Sequence, residues 1–319
     1  VKLCRDQGFE TVEFKLDIEA IIEEMLSSKD TAKFGAGLGM LKFSMQMMKK
    51  PEIKEKVRSM LPAFWAMAED FRPDVIVSAR PIPLLGICEK LRIPFVIISY
   101  QLAAPTEEYP PMFVNDGLPL KWFPSWHKWL GQTVMPLALK KSLGLFNLDD
   151  FHKNVLGIKD LATKNELFVK LYEWAPTLIA AAPEVLRPPK DYGPQRHFTG
   201  WWFLDENTDD FAPSPELHDF LEDASRPPVV YLGFGSMKGS DSMSTDLSRM
   251  ALRALRAAGV RGVLLGGWSG LTRERLGGQP GDDELKAWAR DSVLELKAVP
   301  HAWLFPRVAA VCHHGGAGT

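Results

Sequence analysis

Short apolar runs rich in Val and Ile, separated by stretches of helical spacing, set the rhythm of most of this chain. Asp74-VIVSA, the helical LLGICEKLR of Leu84 to Arg92, and Pro94-FVIISY predict a strand–helix–strand unit, hence a parallel sheet with both faces covered. Thr177 to Ala182 and His197 to Leu204 predict further strands. Later the alternation is regular: strand Val229 to Phe234, helix Thr245 to Ala258, strand Val260 to Leu265, helix Asp283 to Arg290, and strands Val293 to Leu296 and Val308 to His313. Leu247, Met250, Ala251, Ala254, Leu255 and Ala258 share one predicted apolar helix face. Upstream, Asp17 can cap a helix carrying Ile18, Ile21, Ile22, Met25 and Leu26, and a second helix carries Ile53, Val57, Leu61, Phe64 and Trp65, with Pro62 expected to kink it. Residues 101 to 175, rich in Pro and Trp, show helical patches at best. DENTDDFAPSP at 205 to 215 is acidic, proline-bearing and aperiodic, as a linker between domains is. The pattern predicts a first domain over 1–205, a linker and first helix over 206–225, and a second α/β domain over 226–319.

A chain of 319 residues with 46% hydrophobic and 24% charged content has enough apolar surface for two cores. Lys and Arg total 38 against 40 Asp and Glu, so the formal charge of -2 provides no field for nucleic acid; a small molecule is the default ligand. Three cysteines, Cys4, Cys88 and Cys312, stand far apart, with no C-x-x-C pair; this favours a reducing, cytoplasmic setting over a disulfide framework. The longest apolar stretch, Phe34 to Met48, is shorter than a membrane span needs and contains Lys42. The start at Val1 and the end at Thr319, inside a glycine loop, read as cut ends.

Two glycine clusters follow predicted strands, where parallel sheets collect ligands. Gly233-Phe234-Gly235-Ser236-Met237 follows PPVVYL, and its free N–H groups with the Ser236 hydroxyl could receive an anion. Neither G-x-G-x-x-G nor G-x-x-x-x-G-K-[ST] is formed, and a plain strand-to-helix turn is the competing reading. His313-His314-Gly315-Gly316-Ala317-Gly318-Thr319, after VAAVC, adds His and Thr donors to several N–H groups, a combination suited to a diphosphate. A tight turn with a packed His is the alternative. A metal site from Cys312, His313 and His314 is disfavoured, because adjacent strand residues point to opposite faces. A lipase-like reading fails because Gly266-Gly267-Trp268-Ser269-Gly270 lacks the G-x-S-x-G spacing.

The segment from Val299 to Thr319 resembles the nucleotide-sugar signature of family 1 glycosyltransferases, in the branch of sterol 3-beta-glucosyltransferases and related bacterial antibiotic glycosyltransferases. GFGSM at 233–237 resembles the first loop of the same donor domain, and TGWWFLD at 199–205 the segment leading to its interdomain linker. The resemblance implies an α/β GT-B fold, two Rossmann-like domains facing a cleft, here both incomplete. It places His314, Gly316 and Thr319 on the diphosphate, Gly235 and Ser236 on the facing loop, and the backbone of Ala298 and Val299 on uracil. His301 stands where many relatives have Gln, and Ala298 where many plant relatives have a stacking Trp. The implied reaction is a metal-independent inverting transfer of a hexose, glucose foremost, from a UDP-sugar to a hydrophobic alcohol such as a sterol, with no cofactor beyond the donor. The resemblance puts the catalytic base before Val1 and the acidic-Gln pair that reads the sugar after Thr319, so the catalytic residue is unknown. The alternative is a non-catalytic nucleotide-sugar or lipid-binding fragment, or half of a split enzyme.

On the acceptor side, Trp122, Trp126 and Trp129 fall at i, i+4, i+7, with Lys121 and Lys128 nearby and Pro124 at the start. Such stripes usually pack in a core, which is the favoured expectation; an acceptor wall or a peripheral membrane contact is the functional alternative. Met40, Met45, Met47 and Met48 suit either ordinary packing or an irregular terpenoid ligand. Ser78 and Arg80 should lie at the carboxyl end of a strand, beside the implied cleft.

Overall fold

The computed structural model of the chain describes residues 2–12, 50–79, 84–102, 104–110, 123, 125–133, 148–158, 174–204, 211–235 and 241–316. The helix expected after Asp17, the methionine-rich stretch Phe34 to Met48, and Arg80, Lys121, Trp122 and Pro124 lie outside them. Two compact units divide between Phe203 and Leu204.

The first unit holds a parallel four-stranded sheet in the order β1 (Ile76–Ser78), β2 (Phe95–Ser99), β3 (Thr177–Ile179) and β4 (Arg196–Phe198). Helix α1 (Pro51–Phe71) starts on a proline at its first position and carries Pro62 inside without ending there; helix α2 (Leu85–Leu91) connects β1 to β2. Leu61, Ile87, Phe95, Ile97, Phe151 and Leu156 form the core between them. The predicted strand His197 to Leu204 is corrected: pairing stops at Phe198, and Trp201 to Leu204 run on as exposed coil. Four aromatic or apolar residues in a row imitate a buried strand by composition alone.

The second unit is a Rossmann-like sheet, all parallel, in the order β7 (Val293–Leu296), β6 (Arg261–Leu265), β5 (Val229–Gly233), β8 (Ala310–His313). Its strands alternate between two cores. Leu232, Leu264 and Val293 pack with Leu252, Leu255 and Leu285 of helices α5 (Asp241–Ala258) and α6 (Asp282–Ser292), whereas Val229, Tyr231 and Val263 pack with Leu217, Val299 and Leu304. Apolar residues on both faces are what a parallel sheet between two helical layers requires. Helix α4 (Pro215–Glu222) begins at Ser214, whose side chain accepts from the Leu217 N–H, with Pro215 at its first turn. Its end is held by buried Arg261, which donates to the carbonyls of Phe220, Asp223 and Pro227.

The buried face of α5 also differs from expectation. Ser244, Ser248, Arg249, Ala251, Leu252 and Leu255 are buried, while Met250, Ala254 and Ala258 face outward. Polar anchors turn the helix. The Ser248 hydroxyl donates to the Ser244 carbonyl and receives the Thr272 N–H, and Arg249 forms a two-pronged pair with Asp282, at 2.9 Å from Nε to Oδ1 and 3.1 Å from Nη2 to Oδ2.

Candidate functional site

Two consecutive crossovers, β5 to β6 and β6 to β7, run to one side of β5 and are followed by a return to its other side, so the strand order reverses between β5 and β8. In an open parallel sheet, the carboxyl ends at such a reversal form the ligand crevice. The register places Gly233 opposite His313, which brings the two glycine clusters, eighty residues apart in sequence, side by side at that point. Gly235 has φ +56, a left-handed conformation natural to glycine. A Cβ there would lie 2.9 Å from Cε1 of His314, and one on Gly316 would lie 2.3 Å from its Nε2. The His314 ring therefore lies between these two glycines, exposed to solvent, as a donor to an incoming anion must be.

A third loop supports the first. A Cβ at Gly267, φ +46, would stand 3.0 Å from the Gly235 carbonyl oxygen, so the turn after β6 packs directly against the turn after β5. That turn is fixed by Ser269, whose hydroxyl donates to the Gly266 carbonyl, and by Glu295, which receives the Thr272 hydroxyl at 2.8 Å and the Arg273 N–H at 2.7 Å. The Gly-Gly-Trp-Ser-Gly run thus has a structural task.

Ala298 and Val299 follow β7. Val299 buries its side chain in the core shared with Tyr231, while Ala298 is exposed. Gly235, Ala298, Val299, His314 and Gly316 are described; Ser236 and Thr319 lie outside the described residues. Sequence reasoning missed Tyr231. Its side chain runs along β5 until its hydroxyl reaches Gly233, where a Cβ would be 2.1 Å away, and contacts Nε2 of His301 at 3.1 Å. A buried Tyr in an apolar strand asks for a partner for its hydroxyl, and that was the available signal. Burial raises the Tyr231 pKa, which keeps the hydroxyl protonated.

On the acceptor side, helix α3, over 125–133, corrects the favoured core reading for Trp126 and Trp129. Trp126 is 54% and Trp129 58% exposed. The opposite face supplies the anchorage: buried His127 contacts the Glu107 carbonyl through Nδ1 at 3.2 Å, Lys128 pairs with Asp191 at 3.1 Å, and Gly131 lies against Pro105. Burial works to raise the Asp191 pKa, but hydrogen bonds from Thr106 and Lys128 outweigh it and hold the carboxyl below its ordinary value. Phe123 packs on Trp126 with ring centroids 5.3 Å apart. Ser78 ends β1 as expected. Burial pushes the Cys88 thiol up to about 12, so this cysteine is no nucleophile near neutral pH.

Two parallel sheets with flanking helices, the second a Rossmann-like sheet with glycine loops at its reversal point, give the chain an α/β character consistent with the two-domain GT-B fold. The chain is similar to the sterol 3-beta-glucosyltransferases of Aspergillus clavatus, at 29% identity over 285 residues, of Cryptococcus neoformans, at 31% over 256, and of Candida albicans, at 38% over 146. These alignments cover 88%, 77% and 45% of this chain and 19%, 15% and 9% of the respective relatives. The chain spans about a fifth of the length of the first of these relatives. No family model matches it. The relatives support its assignment to the sterol 3-beta-glucosyltransferase-like branch of family 1 glycosyltransferases. Among the described residues, no helix is long and apolar enough to cross a membrane.

Proposed function

We propose that the second unit is the nucleotide-sugar site of a glycosyltransferase that moves a hexose, glucose foremost, from UDP to the hydroxyl of a sterol or similar apolar alcohol. The carrying observation is the register of Gly233 with His313, which puts two N–H-rich turns and the His314 ring at one strand-order reversal. In the inverting displacement, the acceptor oxygen bonds to the anomeric carbon as the bond to the diphosphate oxygen breaks, and the electron pair leaves with UDP. The acceptor proton passes to a base. Charge grows on the leaving diphosphate, and fixed donors that already point at it cost no reorganisation when it does. His314, Gly235 and Gly316 would supply those donors, joined, as the resemblance implies, by Ser236 and Thr319, with the backbone of Ala298 and Val299 holding uracil.

Calorimetry with UDP tests this reading. The wild-type chain should bind, and the Ser236→Ala/His314→Ala double variant should bind about 100-fold more weakly, since hydrogen bonds to charged groups contribute about 1.5–3 kcal/mol each. Equal affinity in the two proteins would dismiss the phosphate site.

A sterol is held in bilayers, and an exposed aromatic helix face suits the interface where such an acceptor is collected. Trp126 and Trp129 would make that peripheral contact. Replacing both with Ala should at least halve the fraction of protein that sediments with sterol-containing phosphatidylcholine vesicles, at an unchanged Tm. Undiminished sedimentation would remove this role.

A further inference from the structure

We propose that Tyr231 is a positioning residue of the donor site, whose hydroxyl, through His301, ties the loop at Ala298–His301 to the phosphate turn at Gly233. The inference rests on the donor-site reading above and adds a means by which its two halves move together.

Strands β7 and β5 are not neighbours; β6 lies between them, so the loops that follow them are about 10 Å apart in the sheet direction. Tyr231 bridges that gap from beneath. It is 1% exposed, its hydroxyl meets Nε2 of His301 at 3.1 Å, and the same oxygen occupies the space that a side chain at position 233 would need. His301 is itself held on the other side, stacked on Phe305 with centroids 4.6 Å apart and planes at 15°, while Phe305 meets the Tyr231 ring edge-on at 5.1 Å. Only Pro300 separates His301 from Val299, so His301 transmits any shift of that loop to Tyr231, and Tyr231 to the backbone of Gly233.

Packing alone does not require the hydroxyl, because Phe would fill nearly the same volume and keep the edge-on contacts. The oxygen is therefore a separable feature. In the neutral tautomer with its proton on Nδ1, His301 accepts the Tyr231 O–H at Nε2, and in the other it donates to the Tyr231 oxygen; a Gln at 301 could do either through its amide group.

The test is calorimetry on the whole chain with three probes, UDP, uridine and inorganic pyrophosphate, together with thermal melts. Tyr231→Phe and His301→Ala should each weaken UDP binding about three- to tenfold, the range of one neutral hydrogen bond, and the double variant should be no weaker than the worse single. Uridine and pyrophosphate, each needing only one loop, should lose less than twofold. His301→Gln should stay within twofold of wild type for UDP. A purely structural role would lower Tm and affect all three probes alike, and should Tyr231→Phe fold poorly, the half-buried His301→Ala carries the comparison. Wild-type UDP affinity in both single variants, or multiplicative losses in the double, would overturn the proposal. A wild-type chain that does not bind UDP would overturn the donor-site reading and this inference with it.

Discussion

A valine at position 235 should reduce UDP affinity by at least 100-fold while the protein stays folded. Gly235 sits at φ +56, and a β-branched residue is strained there by about 1–3 kcal/mol before any contact is counted. Its Cβ would also begin 2.9 Å from Cε1 of His314, so the ring must swing away from the crevice. The turn cannot yield toward the sheet, since the Gly235 carbonyl is packed against Gly267. Strain, a displaced donor and a filled approach path thus act on one ligand. Gly235→Ala should lose less, because the Ala methyl tolerates φ > 0 better than a branched side chain. Calorimetry with UDP measures the affinity, and circular dichroism with heating confirms the fold. A Kd within threefold of wild type for Gly235→Val would mean that phosphates do not approach this turn.

Much of the second unit was legible in the sequence, because each strand is a short apolar run ended by glycine or by a polar helix start. The strand expected over Val229 to Phe234 forms over Val229–Gly233, one residue shorter, and the one expected over Val293 to Leu296 has those bounds. The glycine clusters were legible too, but their meeting was not. That needs strand order, and nothing local to Gly233 or His313 records that β8 returns to the far side of β5. Helix α5 shows how a polar anchor defeats an apolar pattern. Of the expected face Leu247, Met250, Ala251, Ala254, Leu255 and Ala258, Ala251 and Leu255 are buried, yet Ser248 and Arg249, which have partners only in the folded chain, rotate the helix so that Met250, Ala254 and Ala258 face outward. The Trp126 and Trp129 pair fails for the converse reason: periodicity marks a shared face without saying whether it looks in or out. His127, Lys128 and Gly131 decide that, through a loop at 104–107 and Asp191, which are far away in sequence.

The Arg249–Asp282 pair carries the largest stability effect expected in this molecule. Asp282 is 2% and Arg249 6% exposed. Besides the two bonds from Arg249, the Oδ2 atom of Asp282 receives the N–H of Gly277 at 3.0 Å and of Gln279 at 3.3 Å, which closes the turn that begins α6. Asp282→Asn keeps the shape, removes the charge and leaves a guanidinium buried beside it, with Asp246 at the surface, 2.7 Å from Nη1, as its remaining acidic partner among the described residues. Removing one partner of a buried pair is costly, and Tm at pH 7 should fall by about 10 °C. Arg249→Met combined with Asp282→Leu removes both charges and should recover much of that loss. The pH dependence has a definite sign. Hydrogen bonding from Arg249 is the main cause that holds the Asp282 carboxyl below its ordinary value of 3.8. A depressed folded pKa means that the unfolded chain takes up the proton first, so this stabilisation is complete above that ordinary value and is lost as pH falls through the folded pKa. The Tm gap between wild type and Asp282→Asn should hold from pH 7 to about 5 and narrow as the pH drops below about 4. Melting curves across that range check it: a gap that stays constant to pH 3 would show that the charge on Asp282 is not what secures α5 against α6.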